Sequence, residues 1–382
     1  MAQGTNRDAL PGVQEEGTGV VTACDSLHRA LMQPVVSVVI PCYGQAHFLA
    51  EAIESVFWQQ YPAIELIVVN DGAPDTALLE EVIAPFRARL DYVRQENQGL
   101  SAARNAGLSR ARGEFIVFLD ADDRLLPNAL GAGVAALVSH PECGLVWGLR
   151  HVIDAGGNYL RRDVGRISPT ERYVDLLRTN IVGPPVGVTW RRSMLEAIGG
   201  FAETLRCGED YDAYLGVAWT NGIHLHGETV AEYRVHSANM SSHAERMFAA
   251  VQEVYTRQEA RVGSDAVMRR ALRAGRRDIR YRYIWMPLLD RLHDEVVARR
   301  WWRATMLSAR LLVQYPTRFA PILLRHLPRV AGLIAGRRRD DAAASQRPIS
   351  SGITAPSTPV ISTPSSAEKV GAMSSVDTIR SS

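Results

Sequence analysis

The sequence lacks the features of a disulfide-stapled, membrane-spanning or zinc-ribbon protein. Its four cysteines, Cys24, Cys42, Cys143 and Cys207, lie far apart with no CxxC pair, so neither a disulfide framework nor a thiolate zinc site is expected. No secretory leader is recognised, which together with the scattered thiols points to a reducing, cytoplasmic setting. No uninterrupted apolar run reaches the roughly 18 to 20 residues that a membrane-spanning helix requires. There is no Walker-type GxxxxGK[ST] loop, no HExxH pair and no internal repeat. The one GxGxxA match, Gly131 to Ala136, starts well inside an expected helix rather than in the turn after a strand, which favours helix packing over a dinucleotide site.

What remains is a globular composition, 46% hydrophobic and 22% charged, sufficient for one large or two modest domains. The net charge is only +2, yet residues 245–340 hold 21 Arg against 9 Asp plus Glu, leaving the rest of the chain acidic. That asymmetry points to two regions of different role. Residues 1–33 and the Ser/Thr/Pro-rich tail 341–382 show no apolar periodicity and are expected to be disordered.

Between them, apolar runs such as VVSVVI (35–40), IELIVVN (64–70) and FIVFL (115–119) alternate with stretches of helical period at 46–59, 76–88 and around SAARNAG. The alternation reads as an α/β fold with a mixed, mostly parallel sheet covered on both faces. It spans residues 34–244 and is followed by an Arg-rich helical region at 245–340. VGVTW (186–190) and two short runs near HLH and VAEYRVH are expected as further strands.

In open α/β sheets, ligands gather beyond the carboxyl ends of the strands. Three clusters sit there: PCYG (41–44), NDGAPD (70–75) and DADD (120–123). One aspartate could simply cap the helix after Pro127. Three close together repel, and a cation or hydrogen-bond donors between them relieve that repulsion. His224 and His226 share one face of a strand, but without paired cysteines they do not suggest zinc. His236 could complete an oxygen-rich metal shell or be an ordinary surface histidine. Glu209-Asp210 opens a helix, either as a dipole-favoured cap or as a carboxylate that takes a proton from a hydroxyl.

The ordered set SVVIPCYG, IVVNDG, NQGLSAARNAGLSRARGEFIVFLDADD, GGF, GEDYD and YRVHSANMS resembles the inverting family 2 glycosyltransferases with a GT-A-type fold, over about residues 35–242. The resemblance implies a nucleotide-sugar donor, commonly a UDP-sugar, and a saccharide or lipid-linked acceptor. On it, Asp71 accepts a hydrogen bond from the base, with the Pro41 to Gly44 loop, including Tyr43, lining the same pocket. Asp120 and Asp122 match the DxD pair, which contacts the ribose and holds Mg2+ or Mn2+ on the diphosphate. Asp122 is the main metal ligand, with Asp123 beside it and His236 reaching the ion from the C-terminal side. Arg104 lies near the donor or forms a structural salt bridge. Asp210 matches the general base, and Trp190 and Glu209 are expected at the acceptor site.

The QxxRW sequence of processive synthases is missing, which favours addition of one or a few sugars. The Arg-rich region with Trp285, Trp301 and Trp302 suggests an anionic membrane surface on the cytoplasmic side, or else a plain helical cap with a solvated basic face. It has no recognition helix or RNP-type aromatic strand, so no nucleic-acid partner is expected. Two rivals to a sugar transferase are a non-catalytic nucleotide-sugar-binding or scaffold protein on the same fold, and a nucleotidyltransferase. The latter would carry a Gly-rich, Lys-bearing loop after its first strand, and PCYGQAHF has neither feature.

Overall fold

The computed structural model describes residues 33–163, 173–237, 239–240, 243–316 and 319. The two ends expected to be disordered, and the segment FAPILLRHLPRVAGLIAGRRR, lie outside the described residues except for Gln33 and Phe319. The chain divides into two compact units, Met1–Ser308 and Ala309–Ser382, and everything below except the end of the last helix belongs to the first.

The chain runs β1 (Val36–Cys42), α1 (Ala46–Phe57), β2 (Ile64–Asp71), α2 (Thr76–Ile83), β3 (Asp91–Gln95), α3 (Leu100–Arg110) and β4 (Phe115–Phe118). Next come the short β5 (Arg124–Leu125), α4 (Ala129–Ser139), β6 (Cys143–Ile153), β7 (Tyr159–Asp163), α5 (Tyr173–Arg178), β8 (Val188–Arg191) and α6 (Arg192–Ala197). The remainder is α7 (Glu209–Thr220), β9 (Gly222–Arg234), α8 (Ala244–Val262), α9 (Ala266–Arg280), α10 (Met286–Val297) and α11 (Trp301–Gln314).

These strands form one nine-stranded sheet in the order β3-β2-β1-β4-β8-β6-β9-β5, with β7 beside β6. β1 to β4 are mutually parallel where they pair, β8 enters antiparallel between β4 and β6, and β6 and β9 run parallel. Six strands therefore share one direction and end their carboxyl termini on the same edge.

Burial on both faces explains why the sequence runs are continuously apolar. Val39, Ile67, Val69, Ile116 and Phe118 face one core, while Val36, Val38, Ile40, Leu66, Val68 and Val117 face the other. The first core takes in Val251, Val254 and Tyr255 of α8 and Ala271, Leu272 and Ile279 of α9, so the Arg-rich helices share the interior of the sheet domain.

Several local expectations need adjustment. The helix expected at 76–88 becomes α2 and then a 3-10 turn, Ala84–Arg89, because Pro85 cannot donate into an α-helix. VGVTW contributes only its last three residues to β8 (Val188–Arg191), since Gly187 turns with φ +82°. The two short runs near HLH and VAEYRVH are one strand, β9, whose pairing with β6 shifts register where Gly227 adopts φ +79°. Ahead of Pro287, the YRYIWMPLL segment opens with a π-helical turn, Tyr281–Trp285.

Close approach of α3 to β1 depends on Gly107, where an added Cβ would lie 2.2 Å from Val39 Cγ1. Ala is the better helix former by about 1 kcal/mol, yet overpacking costs roughly 1 to 3 kcal/mol. Gly107→Ala is therefore expected to lower stability, read as a smaller denaturant midpoint at unchanged slope.

Candidate functional site

The cleft sits where the carboxyl ends of β1, β2, β4 and β9 meet the start of α7. At the end of β2, Asn70 and Asp71 fix the turn before any ligand arrives. Asn70 Oδ1 accepts from Ala73 N at 2.9 Å and its Nδ2 donates to Tyr92 at 2.9 Å. Asp71 accepts from Gln95 Nε2 (2.8 Å), Gln98 N (2.9 Å) and Gly99 N (2.9 Å), tying β2 to the loop that opens α3. A carboxylate with three donors still has lone-pair capacity for one more. Gly72 is required here, because φ is +65° and a Cβ would stand 2.7 Å from Asn97 N. Along the β1 loop, Pro41 is buried and Tyr43 exposes 52% of its surface at the mouth of the cleft.

The DADD turn splits its carboxylates among different partners. Asp120 Oδ1 accepts from Arg104 at 2.7 Å. Asp122 Oδ2 lies 2.8 Å from His236 Nε2 and accepts from Gln45 Nε2 at 3.0 Å. Asp123 Oδ1 accepts from Arg234 N at 2.8 Å, and its Oδ2 is buried without a hydrogen bond. Burial pushes the Asp122 carboxyl up, with Asp120 adding to it and the His236 contact opposing. Burial and the charges of Asp122 and Asp123's other neighbour, Asp120, push Asp123 well up too. Asp122 and His236 are thus brought together, whereas Asp123 faces β9. Among the described residues, these three do not form a set whose ligand atoms all lie within 4.8 Å of one another.

Arg104 connects this turn to α7. Its guanidinium is 1% exposed and reaches Asp120 on one side and Glu209 Oε1, at 2.5 Å, on the other. Both carboxylates keep it fully charged despite burial. Beside Glu209, Asp210 stands in the first turn of α7 after Gly208, which caps the helix at φ +77°. Asp210 retains an opening to solvent, and its Oδ1 accepts from Tyr211 N at 2.7 Å. Its pKa is raised to about 7, first by burial and then by the Glu209 charge, with Arg104 holding it from going higher.

Residues 37–199 match the family model described as Glycosyl transferase family 2. Over that span, under half of its length, the chain is similar to the family 2 glycosyltransferases. An uncharacterised glycosyltransferase of Rickettsia felis is 31% identical over 213 residues, covering 53% of this chain and 35% of that protein. The uncharacterised glycosyltransferase EpsJ of Bacillus subtilis is 44% identical over 93 residues, 24% of this chain and 27% of its own. The chain thus spans about a third of the length of the first of these curated relatives.

Solved structures agree on the fold. S. aureus TarS 1-349 in complex with UDP-GlcNAc superposes with TM-score 0.53 at 20% identity, over 65% of this chain and 73% of that one. The mannosyltransferase PcManGT of Pyrobaculum calidifontis, in complex with GDP-Man and Mn2+, gives TM-score 0.53 at 17% identity, over 79% and 81%. Both likenesses are to a GT-A-like fold, a mixed sheet of mostly parallel strands with helices.

Two acceptor-site expectations need correction. Trp190 is 1% exposed and stacks on Tyr214 inside the core, its ring centroid 5.3 Å away, so it presents no surface to a saccharide. Strand alternation puts it on the α7 face of β8, which the sequence run VGVTW does not reveal. Glu209, 3% exposed, is paired with Arg104 and presents almost no surface.

Two further residues went unrecognised although both lie inside the quoted motifs. Asn105, next to Arg104, accepts from Phe201 N and donates to Phe201 O, both at 2.8 Å, and so holds the GGF turn. Arg234, 1% exposed, donates to the Asp122 carbonyl (2.7 Å), Ala155 O (3.0 Å) and Glu51 Oε2 (2.7 Å), and its guanidinium lies over Phe48. Each sits one or two positions from a titratable residue that drew attention instead.

The raised Asp210 pKa carries a stability cost with a defined sign. The folded state keeps a proton that the unfolded chain releases near pH 3.8, so stability falls as pH rises toward about 7 and is level above. Asp210→Asn is expected to melt higher than the wild type at pH 8, with the difference closing below pH 4. Parallel thermal scans across that range check this.

Proposed function

We propose that this domain transfers a sugar from a nucleoside diphosphate donor, a UDP-sugar, to a hydroxyl of a saccharide or lipid-linked acceptor, with inversion and without processivity. The observation that carries the reading is Asp210: a carboxylate poised at about 7, linked through Arg104 to the aspartates of the DADD turn. A base with that pKa is half ionised at neutral pH, near the optimum for taking a hydroxyl proton.

Donor binding follows from the strand ends. Tyr43 offers an exposed ring for the base to stack on, and Pro41 and Asp71 shape the pocket beneath it. Asp120, on the open side of the turn, is placed for the ribose. Asp122 and His236 would hold a divalent cation, Mg2+ or Mn2+, with Asp123 behind them. The residues fit such an ion, because the crowded carboxylates of the turn, with Asp122 and Asp123 raised in pKa by burial and by each other's neighbourhood, and one unsatisfied buried oxygen are relieved by positive charge. When bound, the cation supplies charge stabilisation to the leaving diphosphate.

Asp210 accepts the acceptor's hydroxyl proton as that oxygen bonds to the anomeric carbon. The bond from that carbon to the diphosphate oxygen breaks on the opposite face, which inverts the centre. No side chain needs to form a covalent intermediate. Arg104 holds Asp210 in the neutral range and Asp120 in place, so it positions both halves of the reaction.

A peripheral attachment to an anionic membrane is consistent with the C-terminal part of the same unit. Val297, Trp302 and Met306 expose 67%, 69% and 66% of their surfaces, among Arg299, Arg300 and Arg303. No helix among the described residues is long and apolar enough to cross a membrane.

Asp210→Ala is expected to lower kcat by at least a hundredfold while leaving UDP affinity within about twofold. Asp122→Ala should lose the Mn2+-dependent part of UDP binding in calorimetry. If UDP, dTDP and GDP all fail to bind folded wild-type protein with Mn2+ present, the scaffold reading replaces the enzyme. In liposome flotation at low salt, the protein should rise with anionic vesicles and stay behind with neutral ones; equal behaviour with both removes the membrane partner.

A further inference from the structure

A second cluster of ligand-type side chains lies at the other end of the sheet, at the amino ends of β6 and β9. His140 closes α4, and Pro141 carries the chain through a tight turn in which Cys143 N donates to His140 O at 3.0 Å. Ligand atoms of His140, Glu142 and Cys143 all lie within 4.8 Å of one another. Glu142 O accepts from Gly222 N at 2.9 Å, which pins the turn to the start of β9. Two residues along, the His224 ring sits on the His140 ring with centroids 4.0 Å apart and planes tilted by 32°. A groove of 580 Å³ opens on His140, His224 and His226 and gives an entry path from solvent.

The donor set is informative. One thiol, two imidazoles and one carboxylate are the ligands of zinc-class ions, whereas Mg2+ and Ca2+ prefer oxygen alone. Around a tetrahedral zinc, ligand atoms stand about 3.5 Å apart. For His140, Glu142 and Cys143, closing from within 4.8 Å needs about 1 Å of side-chain movement, which rotamer changes supply at the surface, and His224 joins them by turning its ring off that of His140. His140 is 38% exposed and Glu142 63%, so both have that freedom, while Cys143 is fixed on the buried side.

We propose that His140, Cys143 and His224, with Glu142 as the fourth ligand, bind a divalent ion of the zinc class at a site separate from the transfer cleft. Binding breaks the Cys143 S–H bond, releases that proton to solvent and forms a sulfur–metal bond, with no change of oxidation state. The ion ties the end of α4 to the first residues of β6 and β9, where Arg191 also bridges Leu137 O and Cys143 O. Its role is to staple the edge of the sheet, since an ion held only by the folded chain stabilises that state. The absence of any CxxC pair hides this site in the sequence, because a His-Pro-Glu-Cys turn supplies the single thiolate and the third ligand comes from a strand eighty residues on.

The test uses the full chain, stripped with chelator and titrated with Co2+. A thiolate-to-cobalt charge-transfer band should appear and be abolished by added Zn2+. Cys143→Ser should remove the band, and His140→Ala, at the surface, should weaken Co2+ binding at least tenfold while melting like the wild type in metal-free buffer. Zn2+ should raise the melting temperature of the wild type and not of His140→Ala. Asp122→Ala should keep the band, which separates this site from the donor cleft. No band in the wild type at saturating Co2+, or a band that survives in Cys143→Ser, overturns the proposal.

Discussion

Arg104 has to stay ionised where almost no water reaches it, and the cleft is arranged around that requirement. Its two partners come from different elements, Asp120 from the end of β4 and Glu209 from the start of α7. A buried charge left unpaired costs several kcal/mol, about 3 to 5 when one partner is removed. The guanidinium therefore fixes the distance between the DADD turn and the helix that carries Asp210. It also sets the charge that Asp210 sees, opposing the burial and the Glu209 repulsion that drive its pKa up. Geometry and acidity at the two halves of the cleft share one cause.

The aspartates around it are held against their own repulsion. Asp122 and Asp123 are buried next to each other and to Asp120, and distant parts of the chain contribute neighbours that relieve them: Gln45, His236 and the Arg234 backbone. Such a cluster is tolerable because Arg234 grips the same turn through the Asp122 carbonyl. Sites that concentrate like charge sacrifice stability for function. Here the sacrifice is confined to one turn and one helix start, while the two apolar cores on either side of the sheet are densely filled.

Much of this was legible in the sequence. The parallel strands could be read because burial on both faces makes their apolar runs continuous, and the strand ends located PCYG, NDGAPD and DADD together. What could not be read was direction. Trp190 stands on a strand whose two faces are both apolar, so nothing in VGVTW says that its ring points into the core. Glu209 and Asp210 are adjacent acids of similar character, and only the fold decides that the first pairs with Arg104 and the second faces the cleft. Asn105 and Arg234 were overlooked because their partners, Phe201 and the Asp122 carbonyl, are backbone groups far along the chain. A backbone partner leaves no trace in side-chain pattern.

β9 runs from one end of the sheet to the other, beginning at Gly222 and delivering Arg234 just ahead of His236. Between Leu225 and Thr229 it carries extra residues relative to β6, looped out around Gly227. From Ala231 to Arg234 the pairing is residue for residue. Length changes are therefore absorbed unequally along it. One residue more or less near Gly227 enlarges or shrinks an existing bulge, whereas the same change beyond Ala231 turns every later side chain to the opposite face. Homologous chains should vary in length on the groove side of this strand and hold a constant count from Ala231 to His236.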